Sequence, residues 1–354
     1  MQRTYLDYNA TMPLRPEARD AMIAALDLPG NPSSVHAEGR AAKSLIEKAR
    51  AQVAELVGCQ AREVVFTSGA TEAASVLNHQ RPVWSQTTAH DALYAHADWS
   101  DPVEGGPGVT LAWGLANSET GVITEPPKNK DGKWHDNAQD AETLLLDVTQ
   151  AVGRIPWSFA WSSADFAILS SHKIGGPKGV GALIIKQGVD IEALQHGGGQ
   201  EMGRRSGTEN VAGIVGFGAA AAVALTELND GVWDRVASLR DQLEDRLVTE
   251  ASDIIYAGKD TQRLPNTSCI ISPGWKGETQ VMQMDLHGVA VSAGSACSSG
   301  KVRASRVLRA MGYSEEASAS AIRVSLGPRT TEEEITRFAD AWLAQREKHR
   351  ARAA

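Results

Sequence analysis

The chain has 354 residues, of which 42% are hydrophobic and 22% charged, with a formal net charge of −8. A chain of this length and balance can bury a sizeable core, so we expect a globular protein with two domains or with one large domain and an appendage. The acidic balance argues against a nucleic-acid-binding protein. Three cysteines cannot form a disulfide framework, which favours a reducing compartment. The start lacks an apolar signal core and no apolar stretch looks long enough for a bilayer, so we expect a cytoplasmic protein without membrane association.

The predicted elements of the first two thirds of the chain alternate between buried strands and helices. The strands are expected at 64–67, 109–113, 144–146, 166–169 and 181–185, with helices between them, for example at 37–57 and 211–228. Several strands are apolar at successive positions, which is typical of a sheet covered on both faces. This alternation predicts βαβ units in a mostly parallel sheet flanked by helices. Residues 125–141 are polar and are predicted to form an exposed loop.

The pattern changes after residue 229. A helix over 233–248 is followed by expected strands near 252–256, 268–271 and 288–291. A final helix begins where Thr330 can act as N-cap and Glu333, three residues on, can complete a capping box. These elements predict a smaller α+β domain. The expected division is a large domain of residues 12–230 and a small domain of residues 1–11 and 231–354.

A lysine follows the predicted strand at 166–169, in the run Ser170-Ser171-His172-Lys173-Ile174-Gly175-Gly176. Active-site groups of open α/β sheets lie at the carboxyl ends of strands, and a partly desolvated lysine there suits Schiff-base chemistry. A lone lysine before a turn is more often a surface residue. Its significance depends on other residues at the ends of neighbouring strands.

Three further features accompany this lysine. Asp147 ends another predicted strand, where a carboxylate can pair with a protonated pyridine nitrogen, although alone it would more often be a turn former. Residues 67–72 join a strand to a helix, an arrangement that suits a phosphate or is an ordinary capped loop. His90 could stack on an aromatic cofactor or pack in the core.

With these features in place, the chain resembles the cysteine desulfurases, fold-type I pyridoxal-phosphate enzymes related to the class V aminotransferases. The resemblance extends in order from Tyr5 to the end of the chain. It rests on the lysine motif, Asp147-Val148-Thr149-Gln150, the turn at 68–72, Tyr5-Leu6-Asp7-Tyr8-Asn9-Ala10-Thr11, Gly197-Gly198-Gly199-Gln200-Glu201, Arg204-Arg205-Ser206-Gly207-Thr208-Glu209-Asn210 and Ser295-Ala296-Cys297-Ser298-Ser299.

The resemblance implies a role for each matching residue. Lys173 would bind pyridoxal 5′-phosphate covalently, Asp147 would pair with the pyridine nitrogen, Gln150 would bond the ring hydroxyl and His90 would stack on the ring. The phosphate would be held by Ala70, Thr71, Ser170 and His172, with Thr208 reaching the phosphate of a partner subunit in a homodimer with shared active sites. Arg323 would bind the substrate carboxylate, with Asn117 beside the substrate and Ser118 beside the cofactor.

The implied reaction converts L-cysteine to L-alanine and leaves a persulfide on Cys297, whose run of small residues suits a mobile loop. A sulfur-acceptor protein for iron–sulfur cluster assembly or tRNA thiolation would then receive the sulfur. No resident metal is expected, although Cys297 could transiently ligate a cluster. Cys59 and Cys269, in apolar surroundings, are interpreted as structural.

The chain departs from the family pattern at Ser118, where a second asparagine is usual, and lacks the asparagine expected soon after Thr71. The alternatives are therefore a class V aminotransferase, a selenocysteine lyase or a β-eliminating lyase, or a non-catalytic scaffold derived from a desulfurase.

Overall fold

The structure is a computed structural model that describes residues 3–80, 82–98, 108–136, 140–294 and 304–353. Its strands, in chain order, are β1 (Thr4–Tyr5), β2 (Val64–Thr67), β3 (Val83–Ser85), β4 (Thr110–Gly114), β5 (Lys128–Lys130), β6 (Lys133–His135), β7 (Asp140–Ala141), β8 (Thr143–Asp147), β9 (Phe166–Ser170), β10 (Gly181–Ile185), β11 (Ile255–Tyr256), β12 (Thr267–Ile271), β13 (Val289–Ala290), β14 (Ser292–Ala293) and β15 (Ala321–Ser325). Its α-helices are α1 (Pro16–Leu26), α2 (Ala37–Val57), α3 (Ala70–Ala73), α4 (Asp91–Tyr94), α5 (Phe159–Ser162), α6 (Val211–Asn229), α7 (Val232–Glu250), α8 (Gly277–Leu286), α9 (Arg306–Ala310), α10 (Glu315–Ala319) and α11 (Glu332–Ala353).

The described residues divide into two compact units. The large unit takes residues from 12–115 and 124–229, and the small unit takes residues from 1–11, 116–123 and 230–354. Residues 116–123, which the sequence division assigned to the large domain, group with the small unit. The domain boundaries expected from the sequence, 12–230 for the large domain and 1–11 with 231–354 for the small domain, stay a prediction.

The large unit contains a sheet in the order β2-β10-β9-β8-β4-β3. Strand β10 is antiparallel to both of its neighbours, and the pairs β9–β8, β8–β4 and β4–β3 are parallel. Strands β2, β9, β8, β4 and β3 therefore run in one direction, and their carboxyl ends lie along one edge. Strands β9 and β10 are buried throughout, because helices cover a sheet of this kind on its faces.

Helix α2 shows how the sequence marks an element of this unit. Its N-cap is His36, whose Nδ1 accepts a hydrogen bond from the amide of Gly39 at 3.3 Å. It ends at Gly58, which has a φ of 67°, in the left-handed region that glycine adopts without a Cβ penalty. Between them, Ile46, Val53 and other apolar residues at helical spacing are buried.

Helix α6 is long and apolar enough, by length and composition alone, to cross a membrane, so the expectation that no stretch reaches that length was wrong. Buried core helices pass the same test, and α6 packs against α1 and α2. A Cβ on Gly218 would lie 2.5 Å from the Cα of Ala49, and one on Gly216 would lie 2.6 Å from the side chain of Met22. The glycines of α6 thus allow close helix packing inside the large unit.

The small unit contains an antiparallel sheet in the order β11-β12-β15-β14, and a parallel pair of β1 with β13. A bridge between Asp7 and Ser325 continues the chain after β1 alongside β15. The terminal helix α11 starts one residue later than its expected cap. Its capping box joins Thr331 and Glu334, at 3.1 and 3.4 Å, whereas the hydroxyl of Thr330 accepts from the amide of Gly327. The prediction of Thr330 and Glu333 as the box was therefore wrong.

The expected loop at 125–141 was also wrong. Strands β5, β6 and β7 form an antiparallel meander in the large unit, and Trp134 is buried at 4% exposure. Asp131 and Gly132 have φ of 53° and 80°. Positive φ at both central residues is the geometry of a two-residue hairpin turn, for which Asp-Gly is a strong signal. The polar composition concealed a hairpin that this dipeptide marks.

Candidate active site

The predicted cofactor-binding residues of the large unit lie at the sheet edge where β2, β9, β8 and β3 end. The register brings two of these strand ends together, because Gly181 at the start of β10 pairs with both Thr67 and Ser170. Strand β8 lies beside β9, with Asp147 opposite Ile168. The sheet thus places at one edge side chains that are far apart in the sequence. They are Ala70 and Thr71 after β2, Ser170, His172 and Lys173 at and after β9, Asp147 and Gln150 at and after β8, and His90 after β3.

Lys173 lies in a loop that is closed at both ends. After β9, a short 3₁₀ turn spans Ser171–Lys173, and the amide of Ser171 bonds the carbonyl of Val180, immediately before β10. The amides of Ile174 and Gly176 both bond the carbonyl of Ser171, at 3.1 and 3.0 Å. The loop therefore holds the half-buried Lys173 at a fixed place on the sheet edge.

His172, next to this lysine, is held in its neutral form. Burial lowers the pKa of His172 to about 4, with further lowering by the charges of Lys173, Lys178 and Arg154. A neutral imidazole keeps both a donor and an acceptor nitrogen at neutral pH. The neighbouring cations make the surroundings of His172 suitable for an anionic group.

The turn after β2 leaves a space beside β9. Among the described residues, a Cβ on Gly69 would meet only the hydroxyl of Ser170, at 3.9 Å, so they leave the volume in front of this glycine open. Gly181 permits the arrangement, because a Cβ there would lie 2.6 Å from the Cα of Gly69 and 2.7 Å from the carbonyl oxygen of Leu169. The result is a small cradle formed by Gly69, Ala70 and Ser170.

Asp147 and Gln150 occupy the end of β8. The carboxylate of Asp147 accepts from the amide of Thr149 at 2.9 Å and is half-buried. Gln150 is buried, and its side-chain oxygen accepts from Arg154. The guanidinium of Arg154 also bonds the carbonyl of Lys173 at 3.2 Å, so it ties the end of β8 to the lysine loop. Sequence reasoning missed Arg154, although its position four residues after Gln150 was an available signal.

His90 caps the short helix α4. Its Nδ1 accepts from the amide of Ala92 at 3.1 Å, which leaves the proton of the neutral ring on Nε2. The side chain is exposed rather than packed in the core. Core packing, one of the two interpretations from the sequence, is therefore wrong for this residue.

The segment that carries Thr208 is tied to the turn after β2 through Glu72. The carboxylate of Glu72 accepts from the amide of Ser68 at 2.7 Å and from Nε of Arg205 at 2.9 Å. Burial favours a higher pKa for Glu72, but the bonds from Arg205 and Ser68 outweigh it and lower the pKa. Thr208 itself is exposed. Sequence reasoning gave the pair of Glu72 and Arg205 no role.

The buried Glu201 anchors the same segment to the sheet. It makes a two-point pair with Arg50 at 2.7 and 2.8 Å, and accepts from the amide of Phe66 in β2 at 2.9 Å. Glu201 and Met202 both have positive φ, 48° and 58°, an unusual conformation for side-chain-bearing residues. The two-point pair and the bond to β2 hold Glu201 in that conformation.

In the small unit, the predicted substrate-binding residues form a group of their own. Arg323 lies on β15, with one Nη1 bond of 3.0 Å to the carbonyl of Ser118 and one Nη2 bond of 2.6 Å to Asp7. The side-chain oxygen of Asn117 accepts from the amides of Glu119 and Thr120 at 2.9 and 3.0 Å, which shapes its own turn. The main-chain carbonyl of Ser118 thus accepts a hydrogen bond from Arg323, and this contact does not depend on the side chain at position 118.

Cys297 lies outside the described residues. The other two cysteines, Cys59 and Cys269, have their pKa raised to about 12, chiefly by burial, with Glu63 and Glu119 adding respectively. Neither is a thiolate at neutral pH. Among the residues that the structure describes, no group of three metal-binding side chains is present.

The residues at the large-unit edge fit pyridoxal 5′-phosphate. The space in front of Gly69 adjoins the hydroxyl of Ser170, a group that can donate to a phosphate, and the cations around His172 complement the charge of a phosphate. Lys173 on its closed loop supplies an amine, and the carboxylate of Asp147 can pair with a pyridinium.

Comparison with known proteins agrees with this fit. The aminotransferase class-V family model matches residues 4–100 and 108–338. A cysteine desulfurase of Cereibacter sphaeroides is 38% identical over 96% of this chain and 94% of its own length, and the cysteine desulfurase IscS of Dictyoglomus turgidum is 35% identical over 94% and 92%. The structure of a NifS-like protein from Rickettsia africae superposes with a TM-score of 0.84 at 30% identity, over 97% of this chain and 100% of that one.

The chain therefore belongs to the class V aminotransferase family. Within that family, its relatives include cysteine desulfurases that match nearly all of the chain. The resemblance noted in the sequence and the predicted fold, a fold-type I α/β architecture with a mostly parallel sheet, are confirmed.

Proposed function

We propose that this protein is a pyridoxal-phosphate-dependent cysteine desulfurase that converts L-cysteine to L-alanine and forms a persulfide on Cys297. The carrying observation is the placement of Lys173, on a loop closed between β9 and β10, at the same sheet edge as Asp147 and the cradle of Gly69 and Ser170. Relatives named cysteine desulfurase, which match 95–96% of the chain, support the choice of cysteine as substrate.

Each residue at the edge has one task in this proposal. Pyridoxal phosphate, when bound, supplies an aldehyde for amine substrates and a ring that accepts electron density. Ala70, Thr71, Ser170 and His172 hold its phosphate, Lys173 holds its aldehyde carbon, and Asp147, Gln150 and His90 hold its ring. The amine of Lys173 also takes the α-proton of the substrate and returns a proton to the product.

Cys297 and the small-unit group act on the substrate. Arg323 binds its carboxylate through the fork of guanidinium donors, with Asn117 beside the substrate and Ser118 beside the cofactor. The thiolate of Cys297 attacks the substrate sulfur, so a sulfur–sulfur bond forms as the carbon–sulfur bond breaks. Alanine leaves, and the sulfur remains on the protein as a persulfide.

The remaining partners follow from the same proposal. The protein acts in the cytoplasm as a homodimer in which Thr208 reaches the phosphate bound by the partner subunit. The persulfide is handed to an acceptor protein, first of all an iron–sulfur scaffold, and otherwise a tRNA-thiolation protein. The protein itself binds neither nucleic acid nor a membrane and holds no resident metal, although Cys297 can ligate a cluster during transfer.

The test is to incubate the protein with pyridoxal phosphate, L-cysteine and a reductant, and to measure sulfide and alanine together. Wild type and a Cys59→Ala control should each release sulfide and alanine in equal amounts. Cys297→Ala should release neither product. Lys173→Ala should lose the yellow colour of the bound cofactor and at least about 10²-fold in rate. Transamination that survives Cys297→Ala, without sulfide, would favour an aminotransferase, and a colourless, inactive wild type would favour a scaffold.

A further inference from the structure

The carboxylate of Asp7 lies between a strand residue and the proposed substrate-binding arginine. Its Oδ1 accepts from Nη2 of Arg323 at 2.6 Å, and its Oδ2 accepts from the hydroxyl of Ser292 at 2.7 Å. Ser292 is the residue opposite Arg323 in the pairing of β14 with β15, so both partners of Asp7 lie side by side on one sheet. Both oxygens of the carboxylate are therefore engaged, in a pair whose side chains are only 11% and 16% exposed.

Arg323 keeps unused donors in spite of these bonds. A guanidinium has five N–H bonds, and the two described contacts, to Asp7 and to the carbonyl of Ser118, use one on each terminal nitrogen. Its Nε is buried and makes no hydrogen bond within the described part of the chain. A buried donor without an acceptor is costly, so an incoming acceptor gains more there than at a solvated site.

The segment that carries Asp7 is fixed on both sides. The hydroxyl of Tyr5 donates to the carbonyls of Asp7 and Thr11 at 3.1 and 2.9 Å. Burial, aided by the charge of Asp7, raises the pKa of Tyr5 to about 12, so this donor keeps its proton. The amide of Asn9 bonds the hydroxyl of Ser325 at 3.0 Å. The carboxylate of Asp7 is thus presented by a braced turn.

We propose that Asp7 is a positioning residue, which holds the guanidinium of Arg323 in the orientation that lets its unused donors bind an amino-acid carboxylate. The inference rests on the proposed function, because it assigns Arg323 to the substrate carboxylate. A carboxylate that fixes one terminal nitrogen while a main-chain carbonyl fixes the other leaves the guanidinium little freedom to rotate. Such preorganisation favours binding of a planar, two-oxygen ligand.

The proposal predicts that replacing Asp7 affects the binding of ligands with a carboxylate and not the binding of ligands without one. Equilibrium binding to the cofactor-loaded protein tests this prediction. L-alanine carries an amine and a carboxylate, whereas ethylamine carries the amine alone, and both can be titrated by the change in cofactor absorbance. Asp7→Ala should weaken L-alanine binding by about tenfold or more, the value of one hydrogen bond between charged groups, and leave ethylamine binding unchanged. Asp7→Asn, which keeps an acceptor for Nη2, should lie between wild type and Asp7→Ala.

The control is Asp253→Ala, which removes another carboxylate that pairs with an arginine in the same unit, Arg346. It should leave both titrations unchanged. Arg323→Ala should abolish the preference for L-alanine, and adding Asp7→Ala to it should have no further effect. Equal weakening of both ligands by Asp7→Ala, or tighter L-alanine binding, would overturn the positioning role. Wild-type protein that binds L-alanine but makes no sulfide would count against the proposed function, and the comparison of ligands would still decide the role of Asp7.

Discussion

At the scale of single residues, the three cysteines should differ in reactivity. Burial raises the pKa of Cys59 and of Cys269 to about 12, so at pH 8 both are thiols and poor nucleophiles. We therefore expect native protein to react with a disulfide reagent at Cys297 alone, and unfolded protein to react at all three. Counting the released chromophore checks this. A Cys297→Ser variant that still reacts rapidly in the native state would contradict it.

His172 should make the stability of the cofactor-free protein depend on pH. Its pKa is lowered from 6.5 to about 4 in the folded chain, by burial first and by nearby cations second. Between these values the unfolded chain binds a proton that the folded chain does not, so stability is full above about pH 6.5 and falls as the pH drops toward 4. His172→Gln should flatten this part of the profile of unfolding free energy in urea. The matched change at the exposed His196 should not, and an unchanged slope in His172→Gln would refute the assignment.

At the scale of elements, two glycines, one in the turn after β2 and one at the start of β10, should behave differently when replaced. Gly69→Ala places its Cβ in open space near Ser170, at a φ of 161°, so the fold should be kept and pyridoxal phosphate should bind more weakly. Gly181→Ala forces a Cβ within 2.7 Å of backbone atoms and should lower the unfolding free energy by about 1–3 kcal/mol. Thermal unfolding of the cofactor-free proteins and a cofactor titration separate the two effects. Equal stability losses in both variants would count against an open cradle.

The elements also show how far sequence patterns reach. Apolar runs predicted the buried strands β2 and β10 at their bounds, because both faces of such strands require apolar side chains. The pattern did not reveal that β10 runs against its neighbours, since an apolar run carries no direction. The meander of β5, β6 and β7 was missed because lysines on an exposed strand look like a loop.

The same limit applies to the candidate site. Motifs placed Lys173 and Asp147 at strand ends. The salt-bridged residues Asp7 and Arg323, in contrast, are far apart in the sequence, and only the pairing of strands in the folded sheet brings them together. Arg154 carried no motif of its own, and its contact with the lysine loop depends on how the turn after β8 folds back. Contacts between residues distant in sequence were therefore the part that patterns could not supply.

At the scale of the whole molecule, the proposed homodimer makes an exposed threonine important. Thr208 is exposed in the single chain, where loss of a surface hydroxyl normally changes little. If it bonds the phosphate of a partner subunit, Thr208→Ala should weaken cofactor binding by about tenfold, and sedimentation should show a particle of two chains. Thr226→Ala, at an exposed threonine on α6, is the matched control. A single-chain particle with full cofactor affinity in Thr208→Ala would contradict the shared site.

The chain path through the two units has a consequence for synthesis on the ribosome. The large unit is complete once Asn229 has emerged, so its lysine-bearing edge can form on the growing chain, as domains generally fold as units. The first strand, by contrast, pairs at Thr4 with Val289, and Asp7 bridges to Ser325. Strand β1 therefore cannot pair until residue 289 has been synthesised, and Asp7 cannot bridge to Ser325 until residue 325 has been synthesised. In a nascent chain, the proposed cofactor cradle is assembled early, and the aspartate–arginine pair that would receive the substrate carboxylate is closed last.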